Sequence, residues 1–215
     1  MLAHTSKGDK LAIASNTRSF PKPPLTTERS TMSTSTSTLV PTGTWTVDPA
    51  HSKVGFAVKH MGIANVRGEF TEFEGTLEVA GDLSSARAHG SVKVDSVNTN
   101  EAQRDAHLKS ADFFHSEAHP EITFSSTAIE PVDDETFKVT GELAIHGVTN
   151  PITLTAEVQG TDTDPWGNER VGLEITGQLS RGDYDMKFNQ ALGSGNMLVA
   201  DKVKLALDIS AVKQS

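Results

Sequence analysis

The chain has 215 residues, of which 36 % are hydrophobic, 6 % aromatic and 22 % charged, a composition typical of a globular protein and unlike collagen or a coiled coil. It contains no cysteine and no apolar run long enough to cross a bilayer, which excludes disulfides, thiolate nucleophiles, Cys-ligated metal centres and membrane-spanning helices. The formal net charge of −9 disfavours a nucleic-acid-binding role, because neutralising phosphates requires clustered Lys and Arg.

The first 42 residues differ in composition from the rest of the chain. They are rich in Ser, Thr and Pro and carry a net charge of +3. Polar low-complexity sequence buries too little apolar area to offset its ordering entropy, so residues 1–42 are predicted to form a disordered tail. A secretory signal needs a longer apolar stretch than residues 11–14 provide, and a transit peptide fits the basic, Ser-rich composition better. The favoured interpretation of the tail is a non-functional extension, with Met32 as a second candidate start. We therefore expect a cytoplasmic protein, with a periplasmic or secreted location as the alternative.

From residue 43 onward, apolar and polar residues alternate with a period of two. Such alternation predicts antiparallel strands with one dry face and one wet face. The predicted strands cover residues 45–48, 53–60, 66–79, 85–96, 121–130, 136–146, 151–161, 170–181 and 200–210. Gly75 is expected to bend the third strand. Closing the sheet removes its edges, so the predicted fold is an all-β antiparallel barrel of about eight strands over residues 43–215, with a sandwich as the alternative.

One segment departs from the alternation and favours a short helix at one end of the barrel. Asn98 is predicted to cap the helix, with Glu101 three residues later completing a capping box. The helix is expected to end near Ala111, and Phe113 and Phe114 are expected to anchor its exit.

The sequence offers few catalytic or metal-binding motifs. His115 and His119 have the four-residue spacing of helical zinc ligands, but Pro120 disfavours a helix there, so both are expected to be surface-loop residues. His146 is expected to be a turn residue. Arg104 and Asp105 could hold a polar head group at the mouth of a barrel or form a salt bridge that tethers a loop. No catalytic or metal-ligating residue is predicted.

Several motifs, in the same order, closely resemble the YceI-like family. They cover residues 44–52 (TWTVDPAHS), 54–60 (VGFAVKH), 66–75 (VRGEFTEFEG), 98–100 (NTN) with 104–114 (RDAHLKSADFF), 122–124 (ITF), 141–143 (GEL) and 146–149 (HGVT). Together they span essentially all of residues 43–212, which makes the resemblance much more specific than any single motif.

The resemblance implies an eight-stranded lipocalin-like barrel that binds a polyisoprenoid or another long amphiphilic lipid, as a homodimer and without catalysis or a further cofactor. The residues that it places along the apolar lumen are Phe56, Val58, Phe70, Leu108, Phe113, Phe114 and Phe124. Those that it places near the head group are His60, Arg104 and Asp105. A structural protein with a filled barrel, or an enzyme acting on a lipid-like substrate, remains the alternative.

Overall fold

A computed structural model describes residues 39–214, which form eleven strands and one α-helix. The strands are β1 (Gly43–Val47), β2 (Lys53–His60), β3 (Ala64–Phe70), β4 (Phe73–Val79), β5 (Arg87–Lys93), β6 (Val97–Asn98), β7 (Glu121–Pro131), β8 (Thr136–Ile145), β9 (Val148–Thr163), β10 (Glu169–Ser180) and β11 (Val199–Lys213). The helix α1 spans Ala102–Lys109, and short 3-10 turns occupy Pro49–His51, Leu83–Ser85, Val94–Ser96 and Arg181–Tyr184. None of the helices in this part of the chain has the length and apolar character that a membrane span requires.

Eight of the strands close into an antiparallel barrel in the order β1-β4-β5-β7-β8-β9-β10-β11, with β11 returning to β1. The closing pairs include Trp45 opposite Lys213. The other part of β11 pairs with β2, from which β3 and β6 continue the sheet. The predicted eight-stranded barrel is therefore confirmed, and the sandwich alternative is wrong because the hydrogen-bonded ring has no break.

The predicted alternation is clearest in β8 and β9, where every second side chain points into the barrel and is buried. The buried side chains are Phe137, Val139, Leu143, Ile145, Ile152, Leu154, Ala156 and Val158, each at most 9 % exposed. Burying one face of each strand while the other stays in water is the main driving force that a period-two sequence provides.

The bend predicted at Gly75 lies elsewhere. Residues 66–79 break at Thr71 and Glu72, between β3 and β4. The Thr71 backbone N–H donates to the Ser96 carbonyl (3.2 Å), and the Glu72 carbonyl accepts from the Lys93 N–H (2.9 Å). The predicted strand 85–96 ends in the 3-10 turn Val94–Ser96. The contacts with this turn and with Lys93 before it hold the chain where β3 ends and β4 begins, whereas Gly75 lies inside β4.

The N-terminal boundary of the barrel also differs from the prediction. Residues 1–38 of the predicted tail lie outside the described residues. The last few residues of that predicted tail belong to the barrel, because Val40 is fully buried in the core. The Trp45 indole N–H donates to the Pro41 carbonyl (3.0 Å), which holds the entering chain against β1.

The predicted helix is present, but its predicted cap is wrong. Glu101 is the N-cap, and its carboxylate accepts from the backbone N–H groups of Gln103 (3.1 Å) and Arg104 (2.5 Å). Asn98 instead belongs to β6 and accepts from the Asn100 N–H (2.9 Å). Pairing of Asn98 with Glu69 of β3 keeps it in the sheet, so the helix has to begin after the turn at Asn100.

Candidate functional site

The barrel encloses an elongated apolar cavity of about 340 Å³. Inward-facing side chains from all eight strands of the ring and from β2 and β3 line it, together with α1 and the turn that follows. Along β11 alone, the lining runs from Val199 to Ala211, which corresponds to about 30 Å of barrel height for a tilted strand. Its volume falls in the range of small-molecule sites, and its shape suits a long, narrow, apolar ligand.

Two glycines help to keep the cavity open. A Cβ on Gly68 would lie 2.4 Å from the Phe56 ring, and a Cβ on Gly141 would lie 2.5 Å from the Phe124 ring. Since neither glycine has a side chain, both rings can lie close against the barrel wall. Larger residues at these positions would push the rings away from the wall.

The turn after α1 covers one end of the cavity with aromatic side chains. Phe113 is 8 % exposed and contacts Phe188, with ring centroids 5.2 Å apart. Phe114 packs edge-on against Phe70 of β3, with centroids 5.8 Å apart, and its backbone N–H donates to the Leu108 carbonyl (3.0 Å). We call residues 98–120 the cap segment, because they connect β6 to β7 across this end of the barrel.

Polar contacts to Thr99 hold the start of the cap segment. Thr99 is buried, and its backbone N–H and hydroxyl donate to the Asp105 carboxylate (2.9 and 2.5 Å). Arg104 donates to the Thr99 hydroxyl (2.7 Å) and carbonyl (2.8 Å). Both charged side chains thus tether the loop before α1 through Thr99, whereas the sequence-based alternative to a head-group contact had been a salt bridge.

The ten residues that the sequence marked as a ligand site divide into two groups in the structure. The cavity wall includes Phe56, Val58, Phe70, Leu108, Phe113, Phe114 and Phe124. The three polar residues, His60, Arg104 and Asp105, are not part of the wall. A ligand-binding role remains a prediction for all ten, and the geometry favours the apolar seven.

Several polar residues of the cavity wall were not predicted from the sequence, and Arg181 is the most buried of them. It is 6 % exposed and donates to the carbonyls of Met186 (2.5 Å), Ala200 (3.1 Å) and Val199 (3.4 Å). Burial lowers the pKa of its guanidinium, while the negative charge of Asp201 opposes that shift. Arg181 comes two residues after Leu179, so it has the same alternation as the inward-facing residues of β10. That spacing was the signal in the sequence from which an inward-facing Arg181 could have been predicted.

The comparisons with known proteins agree with this architecture. Residues 45–211 match the sequence profile of the YceI-like domain. The chain belongs to the YceI-like family. It is 35 % identical to protein YceI of Escherichia coli O157:H7 over 165 residues, which cover 76 % of this chain and 83 % of that protein.

Two solved structures support the family assignment at the level of the fold. The YceI protein of Campylobacter jejuni is 30 % identical, with a TM-score of 0.64, and the match covers 78 % of this chain and 96 % of that one. A polyisoprenoid binding domain from Saccharophagus degradans, implicated in plant cell wall breakdown, is 16 % identical with a TM-score of 0.61. That match covers 79 % of this YceI-like chain and 98 % of the other, and it shows a shared fold.

Proposed function

We propose that this YceI-like protein binds a polyisoprenoid or a similar long-chain amphiphilic lipid inside the barrel. The observation that carries the proposal is the elongated apolar cavity, which runs along β11 from Val199 to Ala211. The description of the Saccharophagus degradans domain as polyisoprenoid binding supports the same ligand class.

The apolar wall can supply most of the binding free energy. Burying one CH₂ group contributes about 0.8 kcal/mol, so ten such groups contribute roughly 8 kcal/mol before the cost of ordering the ligand. Affinity should therefore rise with chain length until the cavity is filled.

Arg181 is the residue that we assign to the polar end of the ligand. Arg181 is one of the wall residues, and its three carbonyl contacts use three of the five N–H donors that an arginine has. A buried cation in a mostly apolar wall favours a phosphate, carboxylate or hydroxyl head group at this point. Placing the head group here orients the chain along the lumen.

The proposed role is sequestration or transport of the lipid, with no bond made or broken. A homodimeric state and a cytoplasmic location are further parts of the proposal. Light scattering of the purified chain tests the first, and fractionation of cells of the source organism tests the second.

The test of lipid binding is a thermal-shift series over ligand length. The protein is delipidated, and solanesol and geraniol are added as the long and short polyprenyl alcohols. We expect the melting temperature to rise with the logarithm of solanesol concentration and to change little with geraniol, because the ligand binds only the folded state. An absence of any shift with either alcohol would refute the proposal.

A pair of variants on β9 tests whether the rise in melting temperature comes from solanesol bound inside the lumen. Ala156 lines the cavity, whereas Thr155 is exposed on the outer face. Ala156→Phe places a ring in an open lumen and should abolish the solanesol shift with little loss of stability, whereas Thr155→Phe should retain the shift. In a filled barrel the same ring would overpack the core and lower the stability by about 1–3 kcal/mol. Equal solanesol shifts in the two variants would place the lipid outside the lumen.

A further inference from the structure

Three histidines from two separate segments meet outside the apolar cavity. The segment before β7 supplies His115 and His119, and the turn between β8 and β9 supplies His146. One ring nitrogen of each lies within 4.8 Å of those of the other two, and all three side chains are half-buried. The sequence predicts surface-loop positions for His115 and His119 and a turn position for His146. Long-range pairing of β7 with β8 brings them together, since Thr123 lies opposite Ala144.

The backbone at two of these histidines is left-handed, a conformation that is uncommon for residues other than glycine. His115 has a φ of 50° and His146 a φ of 52°, both in the left-handed region. His146 and Gly147 form the two-residue turn between Ile145 and Val148, where two positive φ angles make Asn-Gly the preferred sequence. Turn geometry alone therefore does not account for an imidazole at position 146.

Hydrogen bonding and packing orient two of the rings toward each other. His146 Nδ1 lies 3.2 Å from the carbonyl oxygen of Tyr184, to which it donates as an N–H, so Nε2 keeps its lone pair. Metal-bound histidines usually have such a carbonyl or carboxylate partner on the second nitrogen. The His119 ring packs over Gly147, where a Cβ would lie 2.6 Å from ring atom Cε1. The position of the His119 ring thus depends on the glycine that follows His146.

The ring positions are close to those that one metal ion would require. The ring centroids of His119 and His146 are 5.1 Å apart, and those of His115 are 5.8 and 6.3 Å from the other two. A tetrahedral zinc ion with Zn–N bonds of about 2.05 Å would hold its nitrogens about 3.3 Å apart. Small rotations of the imidazoles would bring the three nitrogens to that separation.

We propose that His115, His119 and His146 bind a divalent transition-metal ion of the zinc class, with the fourth coordination position open to water. Three neutral imidazoles suit Zn²⁺, Ni²⁺ or Cu²⁺, whereas Ca²⁺ and Mg²⁺ need oxygen ligands. The ion would link the segment that follows Phe113 and Phe114 to the β8–β9 turn, and so fasten the cap segment to the barrel wall. The metal site is independent of lipid binding.

The test uses the full-length chain without a histidine tag, titrated with ZnCl₂ and CoCl₂. His146→Asn removes one imidazole and creates the Asn-Gly turn that this backbone prefers. His89→Asn, at an exposed position in β5, is the matched control. We expect the wild type and the control to bind one Zn²⁺, to give the visible absorption of tetrahedral Co²⁺, and to melt at a higher temperature with Zn²⁺.

His146→Asn should keep the melting temperature of the metal-free protein or raise it. It should also bind Zn²⁺ at least about tenfold more weakly and lose the Co²⁺ absorption. If this variant does not fold, His115→Asn provides the same comparison, because Asn tolerates the left-handed backbone there. Zinc affinity and Co²⁺ absorption that are equal in a folded variant and in the His89→Asn control would overturn the proposal, as would a wild type that binds no zinc.

Discussion

The barrel wall and the cap segment are stabilised in different ways. In β8 and β9, ten consecutive residue pairs from Thr136 to Ile145 connect the strands, and every second side chain is buried. In the cap segment, α1 has no buried residue, and the contacts concentrate on Thr99 and on Phe113 and Phe114. A region that depends on few contacts opens more easily than one with a continuous ladder. The cap segment is therefore the expected entry point for the proposed lipid ligand.

The largest loss of stability is expected when a charge is placed among the buried side chains of the barrel wall. Val139→Asp puts an unpaired carboxylate among buried apolar side chains, which should cost about 4 kcal/mol or more, or force the carboxyl group to stay protonated. Thr140→Asp, on the outer face of the same strand, should change stability by only about 0.5 kcal/mol. Urea unfolding of the two variants measures the difference, and similar values would contradict the assignment of inner and outer faces.

A smaller loss of stability is expected when the hydrogen bonds that hold the start of the cap segment are removed. Asp105→Ala leaves the buried N–H and hydroxyl of Thr99 without their acceptor, which should cost about 1–3 kcal/mol. Amide hydrogen exchange should accelerate between residues 98 and 116 and remain slow in β8 and β9. The exposed Glu117→Ala serves as the control and should leave both regions unchanged. Uniform acceleration across the barrel would show that the two regions open as one unit.

The smallest change in stability is expected at the turn between β9 and β10, which contains Asp164. Hydrogen bonds from Asn168 and Arg170 hold the pKa of Asp164 well below its ordinary value, and Arg170 also lowers the pKa of Asp48. A carboxylate with a lowered pKa stabilises the folded state above its unfolded pKa of about 3.9, and this contribution is lost as the pH falls below that value. Asp164→Asn should therefore lose less stability than the wild type when melting is followed from about pH 5 to about pH 2. Parallel curves for the two proteins would show that this ion pair contributes nothing measurable.

Prediction from the sequence was accurate for the wall because each strand carries its own signal. Alternation in β8, β9, β10 and β11 shows which face of each strand is dry, and the observed ends of these strands lie within three residues of the predicted ends. The cap segment was predicted less well. Its helix was found from local helix-forming residues, but the N-cap moved from Asn98 to Glu101 because pairing with β3 competes for Asn98.

The sequence by itself determined the barrel, its dry face and the family to which the chain belongs, because a period of two and ordered motifs are local properties. Only the tertiary structure decided how Arg104 and Asp105 are used, where Arg181 lies and that His146 meets His115 and His119. These contacts depend on which strands become neighbours when the barrel closes. The local sequence around each of these residues does not show which strands will become neighbours. The polar sites can therefore be recognised only in the assembled sheet.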